Sequence, residues 1–264
     1  MQWELVTSKE NKLIRHVNRL ASEAKYRRAN GVYVCEGEKL LWEAVRDGVP
    51  LQAVVWEQQS LHEARAARPE KLQLLETLGC RLVEAPANVF SAASFLETFS
   101  GPLFLCGIRE PKIPEKGSRF LALDCVQDPG NVGTVIRSAD AFSVDGVFLL
   151  EGTADPYQPK AVRAAMGSIF RVPVYRVTTE DFFQAMQKLL LPVYAAALSD
   201  RAEPIGNKAL GDAAVIVGNE GRGVRPETIA RCDGTRIIPM SGNAESLNAA
   251  VAASILMWEM SRWR

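Results

Sequence analysis

The chain has 264 residues, a net charge of zero from 31 basic and 31 acidic side chains, and 47% hydrophobic residues. That is room for one large domain or two ordinary ones, with the make-up of a water-soluble globular protein. No apolar run approaches the roughly 20 residues of a bilayer span, and Met1-Gln-Trp-Glu-Leu5 lacks the basic start and apolar core of a signal peptide.

The five cysteines, Cys35, Cys80, Cys106, Cys125 and Cys232, form no CxxC pair and read as reduced, mostly buried thiols of a cytoplasmic protein. With only His16 and His62 as imidazoles, no metal site is expected. Residues 9 to 28 carry Lys9, Lys12, Arg15, Arg19, Lys25, Arg27 and Arg28 against Glu10 and Glu23. Leu13, Val17, Leu20 and Ala24 repeat on one side, and Lys12, Arg15 and Arg19 share another. This is a basic amphipathic helix. It suits a phosphate backbone, and equally a solvated surface.

An alternation of strands and helices follows. Strands are expected at 32–35, 52–56, 81–84 and 103–108, and helices at 36–47 and 61–78 with Gly48 and Gly79 as stops. Short helices are expected within 87–97. Pro111-Lys-Ile-Pro-Glu-Lys-Gly117 reads as a linker between a domain of residues 1–110 and one of residues 118–264. In the second domain, strands are expected at 120–124, 146–150, 172–175, 193–197, 213–218 and 236–238. Helices are expected at 131–142, 159–166 and 180–190, with Pro129-Gly130 as a turn before the first of them. Such an order predicts a mostly parallel sheet with its site outside the carboxyl ends of the strands.

Three polar loops follow strand ends. The first runs Asp128-Pro-Gly-Asn-Val-Gly-Thr-Val-Ile-Arg137. Arg137 interrupts small and apolar residues, and a buried arginine calls for an anion, or for a structural partner such as Asp140 or Glu220. The second, Gly218-Asn-Glu-Gly-Arg-Gly-Val224, surrounds one carboxylate with glycines but is neither a dinucleotide fingerprint nor a Walker loop. The third is Ser241-Gly-Asn-Ala-Glu245, after which Ser246 stands where a helix N-cap belongs, ahead of Ala249, Ala250, Ala252 and Ala253. A polar loop feeding such a helix suits either a ligand site or a capped core helix.

In this order the three loops resemble the motifs of the SpoU (TrmH-like) RNA 2′-O-methyltransferases of the SPOUT superfamily. Asn131 and Arg137 match the first motif, Val215 to Val224 with Glu220 the second, and Ile238-Pro-Met with Glu245-Ser-Leu-Asn248 the third. Where the family often continues with Val-Ser, this chain has Ala249-Ala250. Thr7-Ser8, Asn11, Lys25-Tyr-Arg27 and Val34-Cys-Glu-Gly-Glu38 resemble the family's appended ribosomal-protein-L30e-like RNA-binding domain.

The resemblance implies an α/β knot: a mostly parallel sheet with a C-terminal trefoil knot, behind a smaller L30e-like domain. It implies a homodimer whose active site lies near the subunit interface. It also implies S-adenosyl-L-methionine as cosubstrate, held at Gly218, Ile238 and Leu247 and at the strand end near Ala197-Leu198, with no metal and no membrane. Arg137 is then the residue proposed in the family to assist deprotonation of a ribose 2′-hydroxyl. A guanidinium is effectively always charged, so holding a phosphate and stabilising oxyanion charge suits it better. Glu220 would orient Arg137 or the ribose; Asn131, Ser246 and Asn248 would fix the hydroxyl. Lys12, Arg15, Arg19 and Arg27 would bind RNA. The appended domain favours rRNA over tRNA as substrate. The rival readings are a non-catalytic RNA-binding protein, which leaves the three motifs unexplained, another doubly wound transferase, and a sister enzyme that methylates a base nitrogen.

Overall fold

The computed structural model describes residues 3–96, 101–199, 202–206, 210–243 and 246–262. It divides into two compact units, Met1–Arg109 with Tyr157–Arg163, and Glu110–Pro156 with Ala164–Arg264.

The first unit contains β1 (Glu4–Leu5), α1 (Lys12–Ser22), α2 (Ala24–Asn30), β2 (Val32–Glu36), α3 (Glu38–Arg46) and β3 (Leu51–Glu57). It continues with α4 (Gln58–Ala67), α5 (Pro69–Thr77), β4 (Arg81–Ala85), α6 (Ala87–Phe90) and β5 (Leu103–Gly107). The sheet order is β1-β4-β3-β5-β2, with β5 antiparallel to both neighbours and the other pairs parallel. Leu13, Val17 and Leu20 of α1 join Val34, Val55 and Leu105 in one core.

Two helices expected to be continuous are broken, each for a local reason. Between α1 and α2, Glu23 is extended (φ −108°) while its carboxylate holds Arg19. The break lets Arg27 turn beneath α1, where its guanidinium donates to the carbonyls of Leu20 (2.6 Å) and Ala21 (3.2 Å). These last-turn carbonyls have no partner within the helix. The second break, at Arg68, precedes Pro69, which lacks an N–H and disfavours helical geometry in the residue before it. Gly48 and Gly79 stop their helices at φ of +65° and +71°.

The second unit contains β6 (Arg119–Asp124), α7 (Pro129–Ala141), β7 (Gly146–Leu149), the last two residues of α8 (Pro159–Ala165), which otherwise belongs to the first unit, β8 (Val174–Arg176) and α9 (Thr179–Lys188). β9 (Val193–Ala196), β10 (Glu203–Pro204), β11 (Ala213–Gly218), α10 (Pro226–Ile229), β12 (Gly234–Ile237) and α11 (Ala249–Ser261) complete it. Seven parallel strands lie in the order β10-β12-β9-β11-β6-β7-β8. The central strands β6 and β11 are buried along their whole length, as the continuous apolar runs predict. Phe120, Phe148, Tyr175 and Phe182 pack as an aromatic cluster beside them.

From β12 the chain returns to the middle of the sheet, where α11 lies on α7, β11 and β6. Ala249, Ala250 and Ala253 are buried, and Ser138 and Ser254 share a 2.7 Å hydrogen bond between α7 and α11. Small residues are what permit this approach. The turn expected at Pro129-Gly130 is instead the start of α7. Asp128 caps the helix by accepting from the Gly130 N–H, and Pro129 takes the first helical position, where its missing donor costs nothing.

Candidate active site

Three loops meet at the carboxyl ends of β6, β11 and β12, and Glu220 is their centre. Its carboxylate accepts from the backbone N–H groups of Gln127 and Asp128 (both 3.3 Å), from Asn131 Nδ2 (2.9 Å) and from Asn219 Nδ2 (3.4 Å). Asn131 Oδ1 in turn accepts from Asn248 Nδ2 (3.0 Å). Asn248 Oδ1 accepts from the N–H groups of Ala250 (2.9 Å) and Val251 (3.3 Å). Burial alone would push the Glu220 carboxyl up. The Asn131 amide and the N–H groups of Glu220, Gln127 and Asp128 outweigh it and hold the group below the ordinary carboxylate range.

The N-cap of α11 is therefore Asn248, not Ser246. Ser246 lies two residues further out, exposed, and Glu245 falls outside the described residues. An asparagine serves better here because its amide caps the helix through oxygen and still offers its nitrogen to Asn131.

The loop that carries Glu220 is clamped at its base. A Cβ on Gly218 would stand 2.1 Å from the backbone of Gly223 and Val224, so only glycine fits. Asn219 and Gly223 exchange both backbone hydrogen bonds, and Asn219 Oδ1 accepts from the N–H groups of Gly221 and Arg222. Arg225 closes the loop on the fully buried Asp124 through its backbone N–H (3.1 Å) and its Nε (2.7 Å). A second arm of Arg225 reaches Thr179 Oγ1 (2.9 Å) and Glu151 (3.5 Å). Sequence reasoning passed over Asp124, Asn219 and Arg225. The available signal was a carboxylate ending the apolar strand Phe-Leu-Ala-Leu, which requires a cation nearby.

A pocket enclosing about 490 Å³, part of it open to solvent, lies beside this cluster against the ends of β9 and β12. Ala197, Leu198, Ile238, Met240, Ser246 and Leu247 line it. The backbone groups of Ile238 and Leu247 make no hydrogen bond among the described residues. Free main-chain donors and acceptors on an apolar wall fit a flat heterocycle with a short polar edge, the chemistry of an adenosine. Gly218 does not line this pocket; its place is the loop closure.

Arg137 departs from expectation. It is exposed rather than buried, and it makes no hydrogen bond or ion pair among the described residues. Both partners considered for it are taken. Asp140 holds Arg171 (2.7 Å) and Ser168 (2.7 Å), and Glu220 holds Asn131. Six residues along α7 from Asn131, Arg137 also lies off the line through Asn131 and Ser138 that meets α11.

In the first unit, Lys12, Arg15 and Arg19 lie exposed on one face of α1. Arg15 pairs with Glu10 (3.7 Å), and Arg19 holds Glu23 and stacks 3.8 Å over the Tyr26 ring. Arg27 does not join them. It is 2% exposed and engaged with the α1 carbonyls, so it serves the fold and offers no RNA contact.

Residues 118–258 match the SpoU rRNA Methylase family, and residues 11–101 match the MRM3-like substrate binding domain. The chain belongs to the SpoU rRNA methylase family. It is 32% identical to the 23S rRNA (guanosine(2553)-2′-O)-methyltransferase RlmP of Bacillus subtilis, over 97% of this chain and 98% of that one. Its structure is similar to the S-adenosylmethionine-bound rRNA methyltransferase of Sinorhizobium meliloti, with TM-score 0.85, 29% identity and coverage of 98% and 97%. It is also similar to the SpoU methyltransferase AviRb of Streptomyces viridochromogenes bound to the same molecule, with TM-score 0.83, 25% identity and coverage of 96% and 98%. The mixed α/β fold with its mostly parallel second sheet is that of the SPOUT methyltransferases. Among the described residues no helix is long and apolar enough to cross a membrane, and no group of side chains would hold a metal ion.

Proposed function

We propose that this protein transfers a methyl group from S-adenosyl-L-methionine to a ribose 2′-hydroxyl of ribosomal RNA. The observation that carries this reading is the joining of the three family motifs through Glu220, Asn131 and Asn248, beside a pocket with free backbone groups. S-adenosylmethionine supplies an electrophilic methyl on a sulfonium. Ile238 and Leu247 hold it through their main chain, with the Ala197-Leu198 strand end as a second wall, and Gly218 acts by letting the Glu220 loop close. Ser246 and the spare amide hydrogen of Asn248 orient the ribose hydroxyl. The hydroxyl oxygen bonds the methyl carbon as the carbon–sulfur bond of the sulfonium breaks and S-adenosylhomocysteine leaves, and the hydroxyl proton passes to solvent water. Arg137 binds the adjoining phosphate and stabilises the oxyanion as the proton leaves. An exposed guanidinium is suited to that task, because among the described residues no carboxylate competes for it.

Residues 1–110 serve as the RNA-binding domain, 111–117 as a linker and 118–264 as the methyltransferase domain. Lys12, Arg15 and Arg19 are its phosphate contacts. The protein acts in the cytoplasm as a homodimer. Val251 and Trp258 form an apolar stripe on α11, 47% exposed at each, and a second copy would cover it. Val251→Glu with Trp258→Glu is expected to yield monomers by light scattering; an unchanged mass would remove this surface from the interface.

The test is methyl transfer from labelled S-adenosylmethionine to unmodified rRNA and, separately, tRNA, followed by alkaline hydrolysis. A 2′-O-methyl blocks backbone cleavage, so label is expected in alkali-resistant dinucleotides from rRNA. Label in mononucleotides would mean base methylation. Bound RNA with no label would leave a binding protein.

A further inference from the structure

The bonds among Glu220, Asn131 and Asn248 have a direction fixed at both ends by groups that cannot reverse. A carboxylate held ionised only accepts, so Asn131 must present Nδ2 to Glu220. At the other end, backbone N–H groups only donate, so Asn248 must present Oδ1 to Ala250 and Val251 and has only Nδ2 left for Asn131. Asn131 satisfies both demands in a single orientation, amide nitrogen toward one loop and oxygen toward the other. The orientation thus follows from chemistry rather than from assignment of amide atoms.

We propose that Glu220 and Asn131 are positioning residues: with Asn248 they form a one-way hydrogen-bond relay that sets the first turn of α11 and hence the Ser246–Asn248 edge of the pocket. Four donors converge on Glu220, from Gln127, Asp128, Asn131 and Asn219. An acceptor-only side chain answers all of them. A glutamine places an NH₂ against two of these donors whichever way it turns. If it turns toward Asn131, that residue must flip, and the mismatch passes to Asn248, which can follow only by giving up its cap. This deepens the assignment of the site and rests on it for the activity readout, but not for the stability readout.

The test is a polarity swap. Glu220→Gln alone opposes donor to donor. Asn131→Asp alone opposes carboxylate to carboxylate. In the double variant the glutamine amide donates to the aspartate, which still accepts from Asn248, so the direction at Asn248 is restored. Each single variant is expected to raise the dissociation constant for S-adenosylmethionine about tenfold by calorimetry and to lower Tm by about 2–4 °C. The double variant should recover part of both losses, because the glutamine amide that donates to the aspartate still faces the Asp128 N–H, with turnover recovering alongside. A double variant no better than the worse single one overturns the relay. Restored binding with turnover still at the single-variant level also overturns it, because one of the two side chains would then touch the reacting hydroxyl. If the parent protein binds no S-adenosylmethionine, the functional reading fails, and rescue of Tm still decides the relay.

Discussion

On α1 and α2 the charged side chains answer to near neighbours: Arg19 holds Glu23 four positions on, and Arg27 reaches back seven to Leu20. In the loops of the second unit the partners are remote. Asn131 meets Glu220 across 89 positions, Asn248 meets Asn131 across 117, and Arg225 meets Asp124 across 101. Local pairs keep a helix in shape and leave its outer face free to meet a polyanion. Remote pairs bring separate segments to one point, which a reaction centre requires. The contrast shows that a basic residue's role follows from where its partner lies, not from its charge. Arg27, engaged by its own helix pair, is buried, while Arg137, which has no partner among the described residues, is exposed.

That contrast is open to attack at three points. The largest effect is expected at Arg137. Its replacement by alanine should lower turnover about 10²- to 10³-fold while leaving S-adenosylmethionine affinity within about twofold. Turnover at the parent level would show that a free guanidinium here has no chemical task. Next is Arg27→Ala, which strands the Leu20 and Ala21 carbonyls. It should cost about 2 kcal/mol in denaturant unfolding and leave the salt dependence of RNA binding unchanged. A flattened salt dependence in a fully folded variant would return Arg27 to the RNA surface. The smallest effect is expected from neutralising Lys12, Arg15 and Arg19 together. The slope of log affinity against log salt should shrink by about 2, with Tm nearly unmoved because their ion pairs are exposed. A slope that did not move would place the RNA elsewhere.

The alternation of strands and helices, the parallel sheet and the buried face of α1 were legible because each depends on periodicity within a few residues. The three motif loops were legible as a set because each follows a strand end. What was hidden was set by contacts between distant segments. Ser246 satisfied every local criterion for an N-cap, and Asn248 holds the position because Asn131 stands opposite it. Arg137 read as buried because its neighbours in sequence are apolar, yet a helix turns each residue 100° from the last, and this one faces outward. The helix break at Glu23 was hidden for a different reason: no proline or glycine marks it, and it shows only in the structure, where Glu23 holds Arg19 and the Arg27 guanidinium folds under α1.

The first amide protons of a helix usually exchange quickly with solvent, since no carbonyl of their own helix protects them. In α11 the amides of Ala250 and Val251 are covered by the Asn248 side chain. Their deuterium uptake is therefore a built-in gauge of the loop that carries Glu220. Anything that loosens that loop should be visible as faster exchange at two alanine-and-valine amides that never touch it.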